Sequence, residues 1–124
     1  MGINKDLGLP FGDGMEKVAF AFDVDGTLID SSRVGNEENH STIALLGIIR
    51  LQKWKNISVI VWSGGGKDYA ERVFRDFISN DTEGISFHSK LEHKELRQKY
   101  AKIIAIDDVQ DTRLGDVNLI VRNK

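Results

Sequence analysis

Side chains that could do chemistry together follow four apolar stretches of the sequence. The letters "DVDGT" follow the first stretch, a serine and three glycines the second, a lysine the third, and a pair of acids the fourth. Carboxylates bind cations, whereas hydroxyls, free amides and ammonium groups hold oxyanions. The candidate residues are, in chain order, Asp23, Asp25, Thr27, Ser63, Gly64, Lys90, Asp107 and Asp108.

The acids among these residues indicate a bound cation. Taken alone, their carboxylates would repel one another, and a cation between them offsets that repulsion. The chain has no Cys and only three scattered His, so the ligands are hard oxygens, which suit Mg²⁺. Asp23 and Asp25 are two residues apart, which on an extended chain turns both side chains to the same side. One could serve as ligand and nucleophile and the other as proton donor, with Gly26 permitting the turn that follows.

Hydrophobic periodicity predicts strands that alternate with helices. Residues Val18 to Phe22 are almost continuously apolar, as in a strand buried on both faces of a parallel sheet. Tyr69, Ala70, Val73, Phe74 and Phe77 recur at helical spacing and predict one apolar helix face. The predicted strands are 18–22, 56–62, 84–89, 102–108 and 117–123, and the predicted helices are 41–54 with Ser41 as N-cap, 67–78 and 91–101.

This order predicts an α/β fold, a doubly wound, Rossmann-like and mainly parallel five-stranded sheet with helices on both faces. Ligands of such sheets bind beyond the carboxyl ends of the strands. Because all the candidate residues follow strand ends, we expect them at one edge of the sheet. The 124 residues fit a single domain, 1–124, with 1–15 as a loose lead-in.

The composition does not indicate a nucleic-acid or membrane partner. The chain is 40% hydrophobic and 29% charged with a formal net charge of −2, so it lacks the basic excess of a nucleic-acid surface. No apolar run approaches the roughly 20 residues of a membrane span, and the N-terminal letters lack the apolar core of a signal peptide. The absence of Cys fits a reducing compartment. We therefore expect a cytoplasmic protein without a membrane partner.

The letters "FDVDGTL" resemble the first motif of the haloacid dehalogenase (HAD) superfamily of phosphohydrolases. The other three motifs of that family are also similar and in order: a serine that ends an apolar strand, a downstream lysine, and "IIAIDD". The resemblance spans residues 18 to about 111. It implies a HAD-like hydrolase domain and a Mg²⁺-dependent phosphatase that hydrolyses phosphomonoesters through an aspartyl-phosphate.

The resemblance also implies a role for each acid. Asp23 would be the nucleophile, and Asp25 would be first acid and then base. Mg²⁺ would be held by the Asp23 carboxylate, the Asp25 backbone carbonyl and an acid of the fourth motif. Asp108 is favoured over Asp107 for this last place, because it stands where the family's commoner "GD" ending has its acid. Asp111 would lie behind the metal ligands.

The remaining candidates would bind the phosphoryl group. The resemblance implies that Ser63, the Gly64 amide and Lys90 hold its oxygens, and Thr27 is assigned to the same group. Lys94 lies one helical turn beyond Lys90 and is the alternative lysine.

The spacing of the motifs resembles that of a family member without a cap domain. One crossover helix is obligatory before the second strand, which leaves only 30–40 as a flap, and the interval from Ser63 to Lys90 has room for one helix and one strand. An open site has little to grip a small substrate. The expected partner is a phosphorylated substrate, either a small molecule or a macromolecular phosphate such as a nucleic-acid end. A second copy of the chain could cover the site as a homo-oligomer.

Other functions fit the pattern less well. A receiver-like phospho-acceptor domain would carry its acceptor Asp after the third strand, where "FHSK" has none. A HAD-fold binding protein without turnover has no feature in its favour, since all four motifs keep competent residue types. A calcium loop would need Gly and Glu at Leu28 and Val34. A P-loop would need Ser or Thr at Asp68, and a dinucleotide loop Gly or Ala at Tyr69.

Overall fold

The computed structural model of the protein describes residues 17–30, 37–109 and 114–121. The strands are β1 (Val18–Asp23), β2 (Ile29–Asp30), β3 (Glu37–Glu38), β4 (Ile57–Ser63), β5 (Ile85–Ser89), β6 (Lys102–Asp107) and β7 (Val117–Ile120). Five of them form a parallel sheet in the order β5-β4-β1-β6-β7, which confirms the predicted α/β fold with a five-stranded parallel sheet. The helices are α1 (His40–Gln52), α2 (Lys67–Phe77) and α3 (His93–Lys99), the last preceded by a 3₁₀ turn, Lys90–Glu92.

Strand β1 lies at the centre of the sheet, and its side chains alternate between two hydrophobic clusters. Phe22 belongs to one cluster with Leu46 of α1 and Phe74 of α2. Ala21 belongs to the other with Leu96 of α3. Such a strand has no solvent-facing side, which is why its letters are apolar almost without interruption.

The three predicted helices are present, and their bounds differ from the prediction by at most two residues at either end. The predicted apolar face of α2 is confirmed, since its five residues are buried or pack against the cluster of Phe22. Helix α1, however, begins at His40 with Asn39 in the cap position, so the prediction of Ser41 as N-cap is wrong. The backbone amide of Asn39 donates to the Leu28 carbonyl at 2.8 Å. This bond joins the residue before the helix to the turn that follows β1.

A short antiparallel ribbon that the sequence did not predict occupies part of the expected flap. It pairs β2 with β3, with Ile29 opposite Glu38 and Asp30 opposite Glu37.

Residues 64–89 hold one helix and one strand, in agreement with the predicted spacing. The predicted lead-in 1–15 and Asp111 lie outside the described residues. Among the described helices, none has the length and apolar character that a membrane span needs.

Candidate functional site

Three strand ends and one turn bring the candidate residues to the same edge of the sheet. Asp23 is the last residue of β1, Ser63 the last of β4, and Asp107 the last of β6, while Lys90 directly follows β5. Since these four strands are parallel, their carboxyl ends share one edge. The convergence expected from the sequence is therefore present for these residues.

Lys90 joins two buried acids at this edge. Its Nζ lies 2.8 Å from Asp23 Oδ1 and 2.7 Å from Asp107 Oδ2. Asp23 and Asp107 are only 5% and 3% exposed, so the ammonium supplies compensation that solvent cannot. Lys94, the alternative lysine, lies exposed on α3. It is Lys90 that the structure places on the acids.

A capping box fixes the turn that carries Lys90. The Ser89 hydroxyl accepts a hydrogen bond from the Leu91 amide at 3.1 Å, and Glu92 Oε2 accepts one from the Ser89 amide at 2.8 Å. The other Glu92 oxygen lies 2.9 Å from His88 Nδ1. The hydrogen bond from the Ser89 amide and, to a lesser extent, the one with His88 lower the pKa of Glu92, so the carboxylate of the cap is charged at neutral pH.

The turn after β1 holds Asp23 from the other side. The wholly buried Thr27 donates from its hydroxyl to Asp23 Oδ2 at 3.1 Å. Gly26 adopts the left-handed conformation with φ +86°, and a side chain there would collide with the Asp108 carboxylate. Thr27 thus orients the candidate nucleophile, and a contact between Thr27 and phosphate stays a prediction.

The glycine loop begins at a buried serine. Ser63 is 2% exposed, and its Oγ accepts a hydrogen bond from the Gly65 amide at 3.0 Å. Gly64 is exposed, and Gly66 takes φ +108° immediately before α2, a conformation that suits glycine. The roles of Ser63 and the Gly64 amide in holding a phosphoryl group stay predictions.

Three carboxylates form a group that could hold a metal ion. One ligand oxygen from each of Asp23, Asp107 and Asp108 lies within 4.8 Å of the others, and Asp108 is the most exposed of the three. Oxygen ligands at this separation suit a divalent cation that keeps positions free for water or substrate. The expectation of an acidic metal site is confirmed to this extent. The identity of the metal as Mg²⁺, the preference for Asp108 over Asp107 and the Asp25 carbonyl as a ligand stay predictions.

The charges at the site are not balanced by Lys90 alone. Burial, with smaller contributions from Asp107 and Asp108, raises the pKa of Asp23 to about 7 against the pull of Lys90. The pKa of Asp108 is raised by burial and by Asp107. Burial would lower the pKa of Lys90, but Asp23 and Asp107 outweigh it, and the pKa is raised overall. This surplus of negative charge favours a bound cation.

Tyr69 is a residue of the site that sequence reasoning missed. Its hydroxyl lies 2.9 Å from Oδ1 and 3.1 Å from Oδ2 of Asp25. Burial, followed by the Asp25 carboxylate, raises the pKa of Tyr69, so the phenol remains a donor at neutral pH. In the sequence Tyr69 counts only as part of the apolar face of α2. Its phenolic oxygen, one turn after the glycine loop, is the only signal of a polar role.

The fold and the site together define a parallel α/β protein with an acidic cluster, able to hold a metal ion, at the carboxyl ends of its strands. Comparison of the chain with protein-family models, with curated proteins and with solved structures gives no match. The function is therefore inferred from the geometry of the site.

Without divalent metal, the contribution of Asp23 to stability should fall as the pH rises. Its folded-state pKa is about 7 against an ordinary 3.8, so the folded chain keeps a proton that the unfolded chain has released. This stabilisation is complete below about pH 4 and is lost as the pH rises through about 7. Thermal unfolding in a chelator should therefore show a lower midpoint at about pH 7.5 than at about pH 5.

Mg²⁺ should reverse that loss at neutral pH. At a hundred times its Kd it would add about 2.7 kcal/mol to the free energy of unfolding, and less near pH 5, because protons compete for the carboxylates. Asp108→Asn should weaken the response, while the same change at the exposed Asp68 should preserve it. If the unfolding midpoint at neutral pH did not rise when Mg²⁺ was added at constant ionic strength, that result would argue against the metal site.

Proposed function

We propose that the chain is a Mg²⁺-dependent phosphatase that hydrolyses phosphomonoesters through an aspartyl-phosphate on Asp23. One observation carries this proposal: the Asp23 carboxylate lies at the end of the central strand, in contact with the Lys90 ammonium and beside two further acids that could share a cation with it. A carboxylate so placed can attack a phosphoryl group whose negative oxygens face the cation and the lysine.

The reaction would proceed in two displacements. Asp23 attacks phosphorus, the bond to the leaving-group oxygen breaks, and Asp25 gives that oxygen a proton. Water then attacks the aspartyl-phosphate while Asp25 takes a proton from it, and the bond between Asp23 and phosphorus breaks to release inorganic phosphate. Lys90, Ser63 and the Gly64 amide hold the phosphoryl oxygens. Mg²⁺, held by Asp23, Asp108 or Asp107 and the Asp25 carbonyl, would neutralise charge on the transferring group.

The proposal includes a HAD-like, doubly wound sheet with helices on both faces and no cap domain. Support comes from the two clusters of the core, because alternate residues of β1 join α1 and α2 in one cluster and α3 in the other. The described residues between Ser63 and Lys90 contain one helix and one strand. The proposed substrate is therefore a phosphate presented to an open site in the cytoplasm, by a small molecule or a macromolecule.

The geometry favours this class over a receiver-like phospho-acceptor. A receiver would need an acceptor Asp after the third strand of the sheet in chain order. Strand β5 holds that place and is followed by Lys90, whose ammonium reaches back to Asp23 of β1. The acid at the centre of the contacts is thus the one after the first strand.

Purified protein should release inorganic phosphate from a generic aryl phosphate in the presence of Mg²⁺. A chelator should abolish the release, and added Mg²⁺ should restore it, because the acids alone leave the phosphoryl charge unneutralised. A panel of sugar phosphates, nucleotides, phosphopeptides and nucleic-acid ends would then identify the preferred class. No release from any member of the panel, by protein that binds Mg²⁺, would refute the proposed function.

A further inference from the structure

The Asp25 carboxylate has a specific partner on a different element of the fold. Both of its oxygens lie within hydrogen-bond distance of the Tyr69 hydroxyl, at 2.9 and 3.1 Å. Tyr69 is the third residue of α2, 44 residues further along the chain. The bond therefore links the turn after β1 to the helix that begins after the glycine loop.

The Tyr69 ring is held in place by its neighbours. A Cβ added at Gly65 would lie 3.1 Å from Tyr69 Cδ2, so the ring packs closely over the loop, and glycine makes this approach possible. The Arg72 guanidinium stands over the ring at 5.5 Å from its centroid. The backbone of Asp25 is held separately, by a bridge to Ile29. With both the backbone and the carboxylate constrained, Asp25 has a defined orientation.

We propose that Tyr69 is a positioning residue for Asp25, which it holds where the carboxyl group can protonate the leaving-group oxygen. The inference rests on the proposed function. It also has a consequence for substrates, since only a basic leaving group needs a proton as the bond to phosphorus breaks. An alkoxide leaves poorly without one, whereas a nitrophenolate leaves readily. Tyr69 should therefore matter for alkyl phosphates and hardly at all for nitrophenyl phosphate.

The test compares Tyr69→Phe with wild type on both substrates, using kcat/KM, which reports the step that forms the aspartyl-phosphate. For an alkyl phosphate kcat/KM should fall by about 10- to 100-fold, part of the factor that a general acid supplies. For nitrophenyl phosphate it should change by less than about threefold. In an Asp25→Ala background, Tyr69→Phe should have no further effect on either substrate, because Tyr69 acts through Asp25.

Tyr100→Phe is the matched control, since it deletes the only other tyrosine hydroxyl of the chain from a buried position in the cluster of α3. It should leave the ratio of the two substrates unchanged. Equal losses on both substrates for Tyr69→Phe, no loss on either, or a loss that persists in the Asp25→Ala background would overturn the positioning role alone. Wild-type protein that hydrolyses neither substrate would overturn the proposed function, and the inference with it.

Discussion

Asp23→Asn should lower kcat/KM for an aryl phosphate by about 10⁴-fold or more, because enzymes that lose their nucleophile lose activity by about this factor. The amide keeps the shape of the side chain but has no nucleophilic oxygen, so the aspartyl-phosphate cannot form. It also removes one of the three acids that could share the cation. Steady-state assays at saturating Mg²⁺ separate these two effects, because added metal offsets weaker binding but not the missing nucleophile.

The folded state should survive this substitution. A neutral amide removes a buried charge beside Asp107 and Asp108, while Lys90 keeps its contact with Asp107 at 2.7 Å. The unfolding midpoint in a chelator should therefore be equal to that of wild type or higher. The matched control is Asp68→Asn on the exposed side of α2, which should keep full activity. If a folded Asp23→Asn protein turned over at the wild-type rate, Asp23 would not be the nucleophile.

Lys90→Met should remove most of the activity and lower the free energy of unfolding by about 3 kcal/mol at neutral pH without metal. The apolar side chain leaves the carboxylates of Asp23 and Asp107 buried without their cation. The loss should be smaller near pH 5, where Asp23 is protonated in the folded state. Chemical denaturation at the two pH values measures both quantities.

Lys94→Met tests whether Lys94, rather than Lys90, is the lysine of the site. Lys94 lies exposed on α3, so the same substitution there should change the free energy of unfolding by less than about 0.5 kcal/mol and leave kcat/KM near wild type. Losses of the same size in both variants, or a loss in Lys94→Met alone, would show that Lys90 has been given the wrong role.

Much of the sheet and of the acidic group could be predicted because the central strands are buried on both faces. Strand β1 has no polar side, so its apolar letters end where the strand ends, and Asp23 marks that point. Asp107 ends β6 in the same way. Lys90 could be placed because it directly follows β5, and parallel strands of one sheet end at one edge.

The rest depends on contacts that one-dimensional patterns do not contain. Strands β2 and β3 have two residues each, and the acids Glu37 and Glu38 carry no strand signal. The start of α1 is set by a backbone bond from Asn39 to a distant turn. Tyr69 counts as apolar in any periodicity, and only the path of α2 brings its hydroxyl to Asp25. These features come from packing rather than from local propensity.

The sequence alone also could not show whether Asp107 and Asp108 both reach the site, or which of them pairs with Lys90. Along a regular strand, neighbouring side chains point to opposite faces, so one of the two acids would be expected to point away from the site. Strand β6 ends at Asp107, however, and Asp108 already belongs to the following turn. Both carboxylates therefore reach Asp23, and the pairing of Asp107 with Lys90 appears only in three dimensions.

Trapping the covalent intermediate would identify the nucleophile. Asp25→Asn protein mixed with nitrophenyl phosphate and Mg²⁺ should still form the aspartyl-phosphate, because this leaving group needs no proton, but should hydrolyse it slowly for lack of the base. After an acid quench, the protein should carry one phosphoryl group, labile to hydroxylamine, and borohydride reduction should mark Asp23. The double variant with Asp23→Asn should carry none. A phosphoryl group on any other residue, or none in Asp25→Asn protein that still releases nitrophenol, would show that Asp23 does not form the covalent intermediate.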